Sequence, residues 1–201
     1  MADRTAAESG GSLRSVLILV ASLNFAYFAV EALVAWWIAS VSLFADSMDF
    51  LEDATLTLLV LWALGRTLRL QATIAFGLAA IIAAPGFAAL WVAYQKWLHP
   101  TTPDAQALTL TALGALAVNA FCALALVRIK GRRGSLVRAV YLSARNDVLG
   151  NIAIIAAGVA TAYTASFWPD FIVGLAVFAL HAGAALEVYT TARAEWKSAA
   201  S

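Results

Sequence analysis

Six apolar stretches, each long enough to cross a bilayer, constrain this chain more than any other feature. They run at about 15–38, 41–64, 71–95, 106–128, 136–163 and 168–190. A helix needs roughly 20 apolar residues to cross about 30 Å of hydrocarbon. The breaks between the stretches carry the expected punctuation: Gly65 with Arg66 and Arg69, Pro100 and Pro103 near Asp104, and Gly131 and Gly134 among basic residues. Only Ala39 and Ser40 separate the first two stretches, which predicts a tight hairpin. Hydrophobic residues make up 63% of the chain, far above the roughly 45–50% of soluble domains. The expected fold is an all-α integral membrane protein, a six-transmembrane-helix bundle over 15–190, with little of the 201 residues left for a soluble domain.

The N-terminal segment 1–14 is rich in Gly, Ser and Ala and carries Arg4 and Arg14. The apolar stretch after it runs through Asn24 and Glu31 to Trp37 without a cleavage site, so it reads as a retained helix rather than a signal peptide. Residues 191–201 form a short tail. The single cysteine, Cys122, allows no intramolecular disulfide and reads as packing.

Charge distribution orients the bundle. With six spans, one side holds Arg4, Arg14, Arg66, Arg69, Arg128, Lys130, Arg132, Arg133, Arg138, Arg193 and Lys197, while the other holds only Lys96. Short cytoplasmic loops are enriched in Lys and Arg, so both termini are expected in the cytoplasm and the chain in the cell membrane. Trp36, Trp37, Trp97 and Trp168 fall near the predicted outer boundary, where indole rings favour the headgroup region. The basic loop from Arg128 to Arg138 serves orientation and contact with anionic lipid rather than a soluble partner. A net charge of +1 points to no nucleic-acid partner.

Acidic residues inside the spans carry the functional signal. Each costs roughly 2.5–3.5 kcal/mol to insert, so such residues face a bundle interior and mark function. Span two holds Asp46, Asp49, Glu52 and Asp53. At about 100° per residue, Asp46, Asp49 and Asp53 share one stripe, with Glu52 further round. Span five holds Ser143, Arg145, Asn146, Asp147 and Asn151, of which 143, 147 and 151 line one face. Spans two and five run in opposite directions. A rise of 1.5 Å per residue puts Asp53 about 18 Å and Asp147 about 16 Å from their entry points, both near the midplane. Anionic oxygens converging in low dielectric must hold protons, pair with a cation or bind a metal. Arg145 could neutralise Asp49 or Glu52 in an internal ion-pair network, but one arginine cannot balance this many acids.

At these residues the sequence resembles the cation diffusion facilitator family. The stretch Ser42-Leu43-Phe44-Ala45-Asp46-Ser47-Met48-Asp49-Phe50-Leu51-Glu52-Asp53 is similar to the family's second span, with its Ala-Asp followed by a His/Asp-xxx-Asp pair. Arg145-Asn146-Asp147-Val148-Leu149-Gly150-Asn151 looks like its second metal-binding helix. Asn24, Phe28 and Glu31 in span one, and Trp168, Asp170 and Gly174 in span six, also resemble family positions. The resemblance implies proton-coupled efflux of a divalent metal, zinc first, then cadmium, manganese, iron or cobalt. It implies no organic cofactor. Asp49, Asp53 and Asp147 match three of the family's four ligand positions, and Ser143 stands where histidine is more usual. Asn146, Asn151 or water would then complete the shell, and an all-oxygen set suits manganese, iron or cobalt at least as well as zinc. Family members usually carry a cytoplasmic domain that dimerises and senses metal. The chain ends about ten residues after span six, so a variant without that domain is expected, as a homodimer through its membrane helices. Small residues from Gly77 to Ala88 in span three would permit such close packing.

Two other functions fit the same residues. A non-transporting membrane subunit could partner a longer relative, or a small organic cation could replace the metal, given a wider, aromatic-lined cavity. Asp46 could serve a vestibule, helix packing or a proton relay. His99 and His181 lack a partner at helical spacing and read as structural. An enzyme is least expected, since the sequence holds no catalytic triad, phosphate loop or histidine-rich metal cluster.

Overall fold

The computed structural model describes residues 2–63, 90–127 and 134–179, with side chains at 13–62, 90–127 and 147–179. Every regular element among the described residues is a helix: α1 (Ala2–Ile38), α2 (Val41–Ala63), α3 (90–98), α4 (Ala105–Val127), α5 (Gly134–Thr164) and α6 (Trp168–Ala179). Three are long and apolar enough to cross a membrane: Leu13–Ile38 of α1, α4, and Asp147–Thr164 of α5. Helix α2 is 23 residues long but carries four carboxylates. The small residues from Gly77 to Ala88, the loop basics Arg128, Lys130, Arg132 and Arg133, and His181 lie outside the described residues.

Short connections force neighbouring helices antiparallel. Between α1 and α2 stand only Ala39 and Ser40, the hairpin predicted from their spacing. Ala39 takes the left-handed conformation, φ 52°. Its N–H donates to the carbonyl of Trp36 at 3.4 Å and that of Ser40 to Ala35 at 3.0 Å, the double closure of a Schellman end. Ser40 then caps α2, its Oγ accepting from Leu43 N–H at 3.1 Å. The α5–α6 turn spans 165–167, with Ala165 at φ 49°. Asp104 caps α4, its Oδ1 accepting from Ala107 N–H at 2.7 Å.

Helices α1, α2, α5 and α4 pack in a ring, with α1 against α2, α2 against α5, α5 against α4 and α4 against α1. Two apolar layers close this ring. One joins Leu13, Leu17 and Val20 of α1, Val60 of α2, and Cys122 and Leu126 of α4. The other, near the α1–α2 hairpin, joins Ala35, Ile38, Leu43, Leu108, Ala112 and Ile154. Side chains facing outward are apolar: Leu33, Trp37, Leu124 and Leu149 are 63–81% exposed. An apolar exterior around a polar interior suits lipid rather than water.

At the hairpin end, α3 and α6 pack over the start of α2 through Val41, Ala93 and Phe171. Trp97 and Trp168 meet there edge to face, 5.9 Å between ring centres. Lys96, read from sequence only as the lone basic residue of the outer side, is buried rather than free in solvent. Its Nζ donates to the carbonyl of Ala39 and pairs with Asp170 at 3.3 Å.

The α4–α5 contact is close because Gly158 has no side chain. A Cβ there would collide with Thr109 Oγ1 and lie 3.3 Å from Thr109 N, whereas a Cβ at Gly150 on the same helix meets nothing within 4 Å. Gly158→Leu is therefore expected to destabilise the fold by about 1–3 kcal/mol through overpacking. Gly150→Ala should be neutral or stabilise it by up to about 1 kcal/mol. Unfolding in detergent followed by circular dichroism separates the two, and equal effects would contradict this packing.

Candidate metal centre

Periodicity along α2 builds one wall of the site. Asp46, Asp49, Asp53 and Thr57 recur at spacings of three and four and are 1%, 7%, 3% and 0% exposed, as one helical face turned inward requires. Glu52, off this stripe, is half-buried. The facing helices add Asn24 and Glu31 from α1, Asn119 from α4, and Asp147 and Asn151 from α5, all buried. On α1, α2 and α4 these polar positions fall between the residues of the two apolar layers. The acids thus occupy a polar layer flanked on these helices by apolar residues on either side.

Within this layer the carboxyls of α2 and α5 meet. Asp147 lies against Asp53, with Asp49 and then Asp46 its next acidic neighbours. Carboxyl groups this crowded in low dielectric call for protons or a cation among them. Further toward the hairpin, Glu31 lies beside Asp46, with Asp49 next. Asn151 bridges the helices: its Nδ2 donates to the carbonyl of Asp147 at 2.8 Å and to Asp46 Oδ1 at 3.4 Å. Its Oδ1 is buried without a hydrogen-bond partner. Cys122 is fully buried in the adjoining apolar layer.

Asp49, Asp53, Asp147 and Asn151, chosen from sequence, thus stand in one layer, joined by Asp46. Residues 143–146 are helical, but the side chains of Ser143, Arg145 and Asn146 lie outside the described residues. Among the described residues, no group of three or more His, Cys, Asp or Glu side chains stands ready to hold a metal ion. Closing a shell on a cation would take movement of side chains or helices from this arrangement.

Sequence reading assigned no role to three features of this interior. Glu31 and Asn24 are 0% exposed and their side-chain polar atoms have no hydrogen-bond partner. They lie seven residues apart on α1, a spacing that repeats one helical face and could have been paired with the acids of α2. The third is Asp170, which no periodicity on its own helix connects to α2.

The carboxyl-lined layer between helices is the kind of interior a cation pathway needs. Comparison with known families gives a match to the cation efflux transmembrane domain over residues 17–194. A search among curated proteins returned no match. Cation efflux proteins are membrane transporters, and both the apolar helices and the buried acids accord with that class. The match covers nearly the whole chain, including α1, α2, α4, α5 and α6, and the chain belongs to the cation efflux family.

Proposed function

We propose that this chain exports a divalent metal cation across the cell membrane in exchange for protons. In this reading it forms a homodimer of six-span subunits with cytoplasmic termini. The observation that carries the proposal is the gathering of Asp46, Asp49, Asp53 and Asp147, all buried, across the α2–α5 contact. In this reading the clustered carboxyls hold protons while no cation is bound, a divalent cation entering between them displaces those protons, and its departure restores them. Binding and proton release are thereby linked at one place. The apolar layers supply the rest of an alternating-access cycle, since opening either one would wet the carboxyls from one side only.

Asp49, Asp53 and Asp147 are the proposed principal ligands. Ser143, Asn146, Asn151 or water would complete the shell, while Asp46, Glu52 and Arg145 tune its charge. The cargo follows from the donors. Carboxylate, hydroxyl and amide oxygens are hard ligands that bind manganese, iron and cobalt as readily as zinc, and discriminate less against these than an imidazole would. Zinc stands first by family membership, with cadmium also a candidate.

Flux into vesicles tests the carboxylates. Protein reconstituted with an entrapped metal-sensitive dye should carry zinc or manganese, and Asp53→Asn or Asp147→Asn should reduce the initial rate at least about 100-fold, as removal of an essential ligand does. Flux unchanged in both variants would sink the assignment.

Exchange makes a separate demand. With a pH-sensitive dye inside the vesicles, metal added outside should release protons in the direction opposite to metal movement, and reversing the imposed pH gradient should reverse net flux. Metal flux indifferent to the gradient would leave a uniporter instead.

Restoring imidazole at the variable position tests selectivity. Ser143→His is expected to raise the ratio of zinc to manganese transport by about tenfold, because nitrogen donors favour zinc. A ratio that does not move would remove residue 143 from the shell.

A further inference from the structure

The outer end of α2 is held by a residue from another helix. A helix leaves its first four N–H groups without intrahelical partners, and all four are accounted for here. Ser40 N–H donates to Ala35 in the hairpin and Leu43 N–H to Ser40 Oγ. The other two, Val41 N–H and Ser42 N–H, donate to the carboxylate of Asp170 on α6 at 3.0 and 3.1 Å. The hydroxyls of Ser40 and Ser42 donate to the same carboxylate at 2.5 and 2.6 Å, and Lys96 from α3 pairs with it at 3.3 Å. Asp170 is 0% exposed and Lys96 3%. An anion on a helix N-terminus is favoured by the unpaired N–H groups and the helix dipole. The lysine neutralises a carboxylate that burial would otherwise make costly.

An independent feature of α6 fits the same contact. Gly174, one turn beyond Asp170, faces the first turn of α2 so closely that a Cβ would lie 2.7 Å from both Ser42 N and the carbonyl carbon of Val41. Backbone therefore meets backbone, and the carboxylate reaches the N–H groups because no side chain intervenes.

We propose that Asp170 is a positioning residue that sets the depth of α2, and with it the alignment of Asp49 and Asp53 against Asp147. Helix α6 follows α5 after residues 165–167, so the clamp ties the start of α2 to the hairpin that carries Asp147. Deeper in the outer half, α2 meets α5 through apolar packing of Leu43 and Ile154 and the 3.4 Å bond from Asn151 to Asp46. These contacts tolerate sliding, whereas five directed donors on one carboxylate do not. A slip of one residue moves a helix about 1.5 Å, and misplacement of about 1 Å can cost reacting groups about 100-fold. The transport role of the aligned carboxyls rests on the function proposed above; the alignment itself does not.

The test separates the two. In a Cys122→Ala background, spin labels at Leu58→Cys and Leu149→Cys, both facing outward, report the α2–α5 distance in detergent and in vesicles. Asp170→Asn and Gly174→Ala should each shift or broaden that distance, while Asp104→Ala, which removes the cap of α4, should not. In flux assays the same two variants should raise the apparent KM at least about tenfold, with a smaller change in maximal rate per folded protein. The exchange Lys96→Asp with Asp170→Lys keeps an ion pair but sets an ammonium against N–H donors, so it should not restore the distance.

A distance unchanged in Asp170→Asn and Gly174→Ala would overturn the clamp, as would full recovery in the charge exchange. So would a loss confined to the yield of folded protein, with KM unaltered. A shifted distance in a chain whose unmodified form carries no metal would uphold the clamp and overturn the transport reading instead.

Discussion

Everything in this structure answers to the problem of carrying carboxyl groups through hydrocarbon. Helix α2 places Asp46, Asp49, Glu52 and Asp53 within eight residues of an otherwise apolar segment. Lipid offers no solvation for them, at roughly 2.5–3.5 kcal/mol each on insertion. The stripe must face protein, and the surrounding helices must offer it polar partners. Asn151 meets that need with its bond to Asp46, and Asn24, Glu31, Asn119 and Asp147 line the same layer from three other helices. The apolar residues displaced from the middle of the bundle gather above and below as two closing layers. In a buried layer of this kind a proton or a cation is the natural counter-charge.

Local chain chemistry delivers the helices to that layer. A two-residue turn, closed by Ala39 in the left-handed region and capped by Ser40, reverses the chain so that α1 and α2 lie side by side. The α5–α6 turn repeats the device with Ala165. Alanine in the left-handed region costs about 1 kcal/mol relative to glycine. At Ala39 the bonds of the Schellman end and the lysine on its carbonyl hold the turn in place. Antiparallel neighbours place residues of different sequence position at equal depth, which is how Asp53 and Asp147 meet.

The two buried acidic sites differ in what balances them. Asp170 pairs with Lys96 and accepts hydrogen bonds on both oxygens. Asp53 and Asp147 face each other across the α2–α5 contact with Asp49 and Asp46 close by, acid against acid. One carboxylate is built into a helix end and the pair into a cluster of like charge, although the residue type is the same.

Much of this was legible in the sequence, and the reason is physical. Helical class, the α1–α2 hairpin and the inward stripe of Asp46, Asp49 and Asp53 follow from local rules of apolar length, turn residues and a period of 3.6. Equal depth for Asp53 and Asp147 followed from helix rise and antiparallel direction alone. Contacts between helices did not follow. Only the tertiary structure decided that Asp147 faces Asp53, that Asn151 reaches Asp46, that Glu31 joins the acids, and that Lys96, in sequence a lone outer charge, is buried against Asp170. Such pairings depend on how helices are rotated and packed on one another. Periodicity within one helix carries no record of its neighbour's rotation.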